Sequence, residues 1–135
     1  MNDPRKDALR WLDQAENDLA FARHAMAGDF FHQVCFIAQQ SAEKALKSVA
    51  YNDGARSVIG HSLVALLVPL TRRHPALGKL GDAAAELDLF YIPTRYPNGL
   101  VEGTPHSVFT RSQAERALEA AVAFLDAVRV EIRAG

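Results

Sequence analysis

The sequence predicts an all-α fold, an up-and-down bundle of about five helices with a long irregular loop before the last one. Three observations predict it. Apolar residues recur at three- and four-residue steps through most of the 135 residues, no segment alternates in the two-residue period of a strand, and turn formers gather at a few points between the periodic stretches.

The first helix starts at Asp3 and Pro4 and runs to about Ala27, with Leu9, Leu12, Ala15, Leu19, Ala22 and Met26 as its core stripe. Trp11 flanks that stripe as a rim or core anchor. Gly28 then serves as a helix stop and Asp29 as the next N-cap, a connection so short that the first two helices must be antiparallel neighbours.

The second helix, from Phe30 to about Ala50, organises the rest. At about 100° per residue it places Val34, Ile37, Ala38, Ser41, Ala42, Ala45 and Val49 on one side and Gln39, Gln40, Glu43, Lys44 and Lys47 on the other. Phe36 falls inside the polar arc, one turn before Gln40 and in line with Glu43. An aromatic there implies that this face is covered by another helix or another chain, and Phe36, Gln40 and Glu43 are the residues expected at a homodimer interface. Glu43 and Lys47 stand at ion-pairing distance along the helix.

Asn52, Asp53 and Gly54 end that helix. After a loop through Gly60, HSLVALLVPLTRR gives a third helix capped by Ser62 and expected to bend at Pro69. His74 and Pro75 stop it. A fourth helix follows from about Ala76 to Tyr91, weakened in its first turn by Gly78 and Gly81. From Ile92 to Phe109 periodicity vanishes in a stretch with three prolines and two glycines. A loop of that length in a compact domain is more often functional than decorative. Thr110 and Gln113 form a capping box for the last helix, lined by Ala114, Ala117, Leu118, Ala121, Leu125, Val128 and Ile132.

The length fits one domain, residues 1–135. A lone Cys35 in the second helix points to a buried apolar side chain in a reduced, cytoplasmic protein. No apolar run approaches the roughly 20 residues of a membrane span, and the N-terminus has no signal-peptide core, so no membrane partner is expected. Fifteen basic and sixteen acidic side chains give a net charge of −1, which excludes the broad basic footprint of many nucleic-acid binders and leaves room only for a local contact. Metal-ligand spacing, a second cysteine, a glycine-rich phosphate loop and a serine elbow are all missing, so neither metal nor cofactor is expected.

Two groups of residues could bind or act on a ligand. In TRYPNG, Thr94 to Gly99, Arg95 offers a fork matched to phosphate oxygens, Tyr96 a stacking face and a hydroxyl, and Asn98 a polar side chain in a tight turn. Lys44 and Lys47 on the second helix would add positive charge. The alternative is that Arg95 pairs with Asp88 or Glu86 and only ties the loop down. Among the five histidines, Arg56 and His61 make an R-x4-H string, while His106 lies eleven residues after Arg95. His24, His32 and His74 suit solvated or helix-end roles.

Trp11, Ala15, Asp18 and Leu19, the run AQQSAEKALK, the step from Gly60 to Leu63 and YIPTRYPN from Tyr91 to Asn98 together resemble the HEPN domain family over nearly the whole chain. The resemblance implies a helical bundle, usually homodimeric and frequently paired with a minimal nucleotidyltransferase in toxin-antitoxin systems. Nuclease branches of that family use an arginine and a histidine four to six residues later to cleave RNA without metal. The histidine takes the proton of a ribose 2′-hydroxyl and the arginine stabilises the charge on the attacked phosphate. This sequence departs from that pattern at Arg95, which has no histidine within six residues after it. The resemblance leaves Arg95, with His61 of the R-x4-H string, as the catalytic candidates of a metal-independent endoribonuclease, and Arg95, Tyr96, Asn98, Lys44 and Lys47 would bind nucleotide or RNA. The rival expectation is a non-catalytic partner of a nucleotidyltransferase subunit.

Overall fold

The computed structural model describes residues 3–134, so residues 1, 2 and 135 at the ends of the expected domain lie outside it. The described residues form six α-helices and no strand: α1 (Pro4–Ala27), α2 (Phe31–Asn52), α3 (Leu63–Leu70), α4 (Gly81–Asp88), α5 (Pro105–Val108) and α6 (Arg111–Ala134). Short 3₁₀ segments span Pro75–Leu80 and Pro97–Gly99.

α1, α2 and α6 form the frame. Small residues dominate the facing sides, Ala8, Ala15 and Ala22 on α1 and Ala38, Ala42 and Ala45 on α2, all fully buried. Such residues let two helix axes approach closely. Close approach brings the Ser41 hydroxyl to the Ala15 carbonyl, to which it donates at 2.7 Å. α6 closes the core with Phe124, Leu125 and Val128 at 0 % exposure. Cys35 is buried as the sequence predicts, and burial pushes its thiol up to about 12.

Asp3 caps α1 by accepting from the Lys6 amide, and Thr110 and Gln113 make the expected reciprocal cap on α6. Asp29 departs from its expected role. Its φ of 62° places it in the left-handed region, where its side chain cannot cap α2, and its carboxylate pairs instead with Arg111 at 2.6 Å. Phe30 takes the N-cap position without a side-chain bond.

Pro69 lies inside α3. The helix ends at Leu70, one residue later, because proline lies in the last turn and its missing donor is lost only there. Asp88 of α4 reinforces the other end of α3, accepting from Ser62 Oγ and from the amides of Leu63 and Val64 at 2.8, 2.7 and 3.2 Å. The expected fourth helix is divided. Pro75 and Gly78 favour the tighter 3₁₀ turn over Pro75–Leu80, α4 begins only at Gly81, and it stops at Asp88, short of Tyr91.

The stretch from Ile92 to Phe109, expected to be one irregular loop, instead holds the 3₁₀ turn Pro97–Gly99 and the single-turn α5, and it is anchored. Thr94, 2 % exposed, donates to the Phe90 carbonyl, and Phe90 meets Phe109 edge to face with centroids 5.8 Å apart. Gly99 lies so close to Pro93 that a Cβ would stand 3.1 Å from the proline Cα. This segment is thereby fixed across the outer face of α2.

Candidate functional site

The site grows from the polar side of α2. Gln39, 0 % exposed, donates from Nε2 to the His61 carbonyl at 2.7 Å and accepts from Gln40 at 2.8 Å. These two bonds pin the loop before α3 onto the helix. Glu43 is 4 % exposed, and its two oxygens are engaged by different partners, Oε1 by His61 Nδ1 at 3.0 Å and Oε2 by Lys47 Nζ at 3.3 Å. A buried carboxylate is costly unless its charge and lone pairs are satisfied. Lys47 supplies the counter-charge, and Glu43 in return fixes the imidazole.

A carboxylate can only accept, so Nδ1 is the donor to Glu43, and Nε2 is the ring nitrogen without a hydrogen-bond partner among the described residues. The side chain is 58 % exposed, so that nitrogen remains open to a ligand. The ring stacks on Tyr91, centroids 4.9 Å apart and planes within 18°.

Arg95 reaches the same tyrosine from the irregular segment. Its guanidinium carbon stands 4.5, 4.6 and 5.0 Å from the ring centroids of Tyr91, Phe36 and Tyr96. Nε donates to the Tyr91 carbonyl at 2.8 Å. Ring faces attract a cation without neutralising it. The expected alternative partners are engaged elsewhere, Asp88 at the start of α3 and Glu86 with Arg116 at 2.8 Å. Among the described residues Arg95 makes no ion pair with any carboxylate. It is a positioned and uncompensated cation.

The remaining candidates are spread more widely. Tyr96 is half-exposed against Arg95. Asn98 is exposed in the 3₁₀ turn and does not line the cleft beside Arg95. Lys44 is paired with Asp18 of α1 and borders a separate cleft with Arg10 and Trp11. Lys47 is 6 % exposed, held by Glu43, with Nζ 5.7 Å from the Trp11 ring centroid. Phe36 is half-buried beneath Arg95 and beside Tyr91, and Gln40 and Glu43 make the intramolecular bonds just given. Arg56 is exposed in the loop.

Two histidines join Arg95 where no sequence motif links them. A cleft of about 620 Å³ is lined by Phe21, His32, Phe36, Arg95, Pro97 and His106 among others. The rings of His32 and His106 meet at an angle of 64° with centroids 6.4 Å apart. Burial holds His32 below the ordinary histidine range, and the charge of His106 pushes the same way. The one available signal was position, since His32 lies one turn before Phe36 on the same face of α2. His74 likewise is neither solvated nor a plain helix end: it bridges Glu131 at 2.8 Å and Asp53 at 2.9 Å and links the end of α2 to α6.

The HEPN domain profile matches residues 8–131. The chain belongs to the HEPN family. This HEPN protein is similar to a Thermus thermophilus protein of known crystal structure, at 37% identity and a TM-score of 0.87 over 92% of this chain and 97% of that one. It also resembles an archaeal HEPN homologue, at 35% identity and a TM-score of 0.77 over 93% and 97% of the two chains. A Thermotoga maritima HEPN domain protein matches at 31% identity and a TM-score of 0.70 over 90% and 95%. No curated protein matches the chain. The HEPN fold therefore extends over nearly the whole length, with no helix among the described residues long and apolar enough to cross a membrane. Nor do the described residues hold a group of three or more side chains suited to a metal ion.

Proposed function

We propose that this HEPN protein is a metal-independent endoribonuclease of a toxin-antitoxin or nucleotidyltransferase-associated system in the cytoplasm. The observation that supports this reading is the convergence of His61 and Arg95 on Tyr91, with His61 oriented by buried Glu43 and Arg95 free of any ion pair among the described residues. In this reading Nε2 of His61 removes the proton from a ribose 2′-hydroxyl, whose oxygen attacks the adjacent phosphorus. The bond from phosphorus to the 5′-oxygen breaks. The products are a 2′,3′-cyclic phosphate and a 5′-hydroxyl, the departing oxygen taking its proton from solvent. Arg95 stabilises the charge that builds on the phosphoryl oxygens. Tyr96 offers a face for a neighbouring base.

The family resemblance also supports a homodimer in which the half-buried Phe36 and Gln40 of α2 lie at the contact with the second copy. The family resemblance supports a minimal nucleotidyltransferase as its partner.

The test is incubation of the purified protein with RNA in excess chelator, beside His61→Ala and Arg95→Ala. The wild type is expected to cleave, and each variant to lose about 10²-fold or more, the scale of a general base or a charge-stabilising group. Equal degradation by all three, or by none, contradicts the proposal.

A further inference from the structure

Arg95 lies against Tyr91, the ring on which His61 stacks, and also lines the cleft that holds His32 and His106. We propose that the His32–His106 cleft binds a second phosphate of the same RNA strand, so that the ligand is an oligonucleotide rather than a mononucleotide. This inference rests on the reading of Arg95 as a phosphate ligand.

The geometry suits an anion held between two imidazoles. Their centroids lie 6.4 Å apart with the rings steeply inclined, and neither ring pairs with a carboxylate among the described residues. The ionisable side chains that line the cleft are Arg95, His32 and His106, with no acidic group among them. Its walls are aromatic. Phe36 lies under Arg95, and Phe21 is 46 % exposed, leaving a ring face on which a base can stack. Continuity comes from α2: His32 precedes Phe36 by one turn, a step of about 6 Å along the axis, so a strand that contacts Arg95 passes the histidines next.

His32 is held below the ordinary histidine range by its burial and by His106. Without a ligand it is therefore mostly neutral at pH 7. An anion beside the His32 ring favours its imidazolium, so oligonucleotide binding takes up a proton and tightens as pH falls. The groups that face His32, namely His106 and Arg95, are both basic.

The experiment compares binding of uridine monophosphate and of a 2′-O-methylated octauridylate, which cannot be cleaved, to the intact protein at pH 6 and pH 8. The octamer is expected to bind more tightly than the monophosphate. His32→Gln and His106→Gln are each expected to weaken the octamer about tenfold, leave the monophosphate unchanged and flatten the pH dependence, with melting temperatures verifying that both variants fold. Arg95→Ala weakens both probes. If the two glutamine variants bind the octamer as the wild type does, or weaken both probes alike, the second phosphate site is refuted. Loss of monophosphate binding in Arg95→Ala would still uphold the reading of Arg95. Absence of binding by either probe to the wild type overturns both.

Discussion

Nδ1 of His61 stands 3.0 Å from a carboxylate oxygen of Glu43, and the other oxygen of Glu43 meets Lys47 at 3.3 Å. One buried acid thus serves stability and site geometry together. Glu43→Gln keeps the volume but leaves Lys47 in a buried position without its counter-charge, a loss of about 2–4 kcal/mol. The amide can also turn either its donor or its acceptor toward the imidazole, so the preferred tautomer is no longer imposed. Thermal unfolding should show the destabilisation, and adding Lys47→Met should recover part of it, because the unpaired charge is then gone. RNA cleavage should not recover.

Arg95→Lys is expected to behave as a loss rather than as a conservative change. The guanidinium lies over three ring centroids at 4.5–5.0 Å and donates to the Tyr91 carbonyl. A lysine keeps the charge but not the planar fork or the stacking. Uridine monophosphate should raise the melting temperature of the wild type and raise it much less in Arg95→Lys. An equal rise would show that charge alone suffices.

His74 makes stability depend on pH. Its burial lowers its affinity for a proton, but hydrogen bonds to Asp53 and Glu131 and the charges of both outweigh this, so its pKa is raised. A raised folded-state pKa means that the histidine contributes its full stabilisation below the unfolded value near 6.5 and loses it as pH rises through the folded value. The wild type should exceed His74→Gln in stability by about 1–3 kcal/mol at pH 6, the scale of hydrogen bonds between charged groups. The gap should narrow as pH is raised through the folded value. A gap that widens with pH would contradict the bridge.

Cys35 should be inert in the folded protein. It is fully buried, and burial pushes the thiol up to about 12, so almost no thiolate exists at pH 8. A thiol reagent at that pH should label it only as fast as the protein opens and completely in denaturant. Rapid labelling of the native protein would place the side chain at the surface.

Most of the fold was legible because it rests on periodicity. The stripes of α1, α2 and α6 and the caps at Asp3, Ser62 and Thr110 follow from local spacing and side-chain chemistry. Asp29 and the divided fourth helix were not legible, since a left-handed turn stabilised by distant Arg111 and a 3₁₀ segment set by Pro75 and Gly78 depend on the chain around them. The site divides in the same way. Arg95, Tyr96 and His61 could be named from residue type and resemblance. The burial of Glu43 and Lys47 could not, because a glutamate and a lysine one turn apart read equally as a solvated pair. His32 and His106 were hidden for a third reason: they come from distant parts of the chain and meet only when the irregular segment folds back over α2.

The central claim is that His61 and Arg95 act together on the phosphodiester next to a ribose 2′-hydroxyl. Mass spectrometry of the ends left on a short RNA by the wild-type protein in chelator tests it most directly. The account predicts 2′,3′-cyclic phosphate and 5′-hydroxyl ends, with no products from the same sequence carrying 2′-O-methyl groups. Products bearing 5′-phosphate ends, or cleavage of the methylated strand, would contradict it.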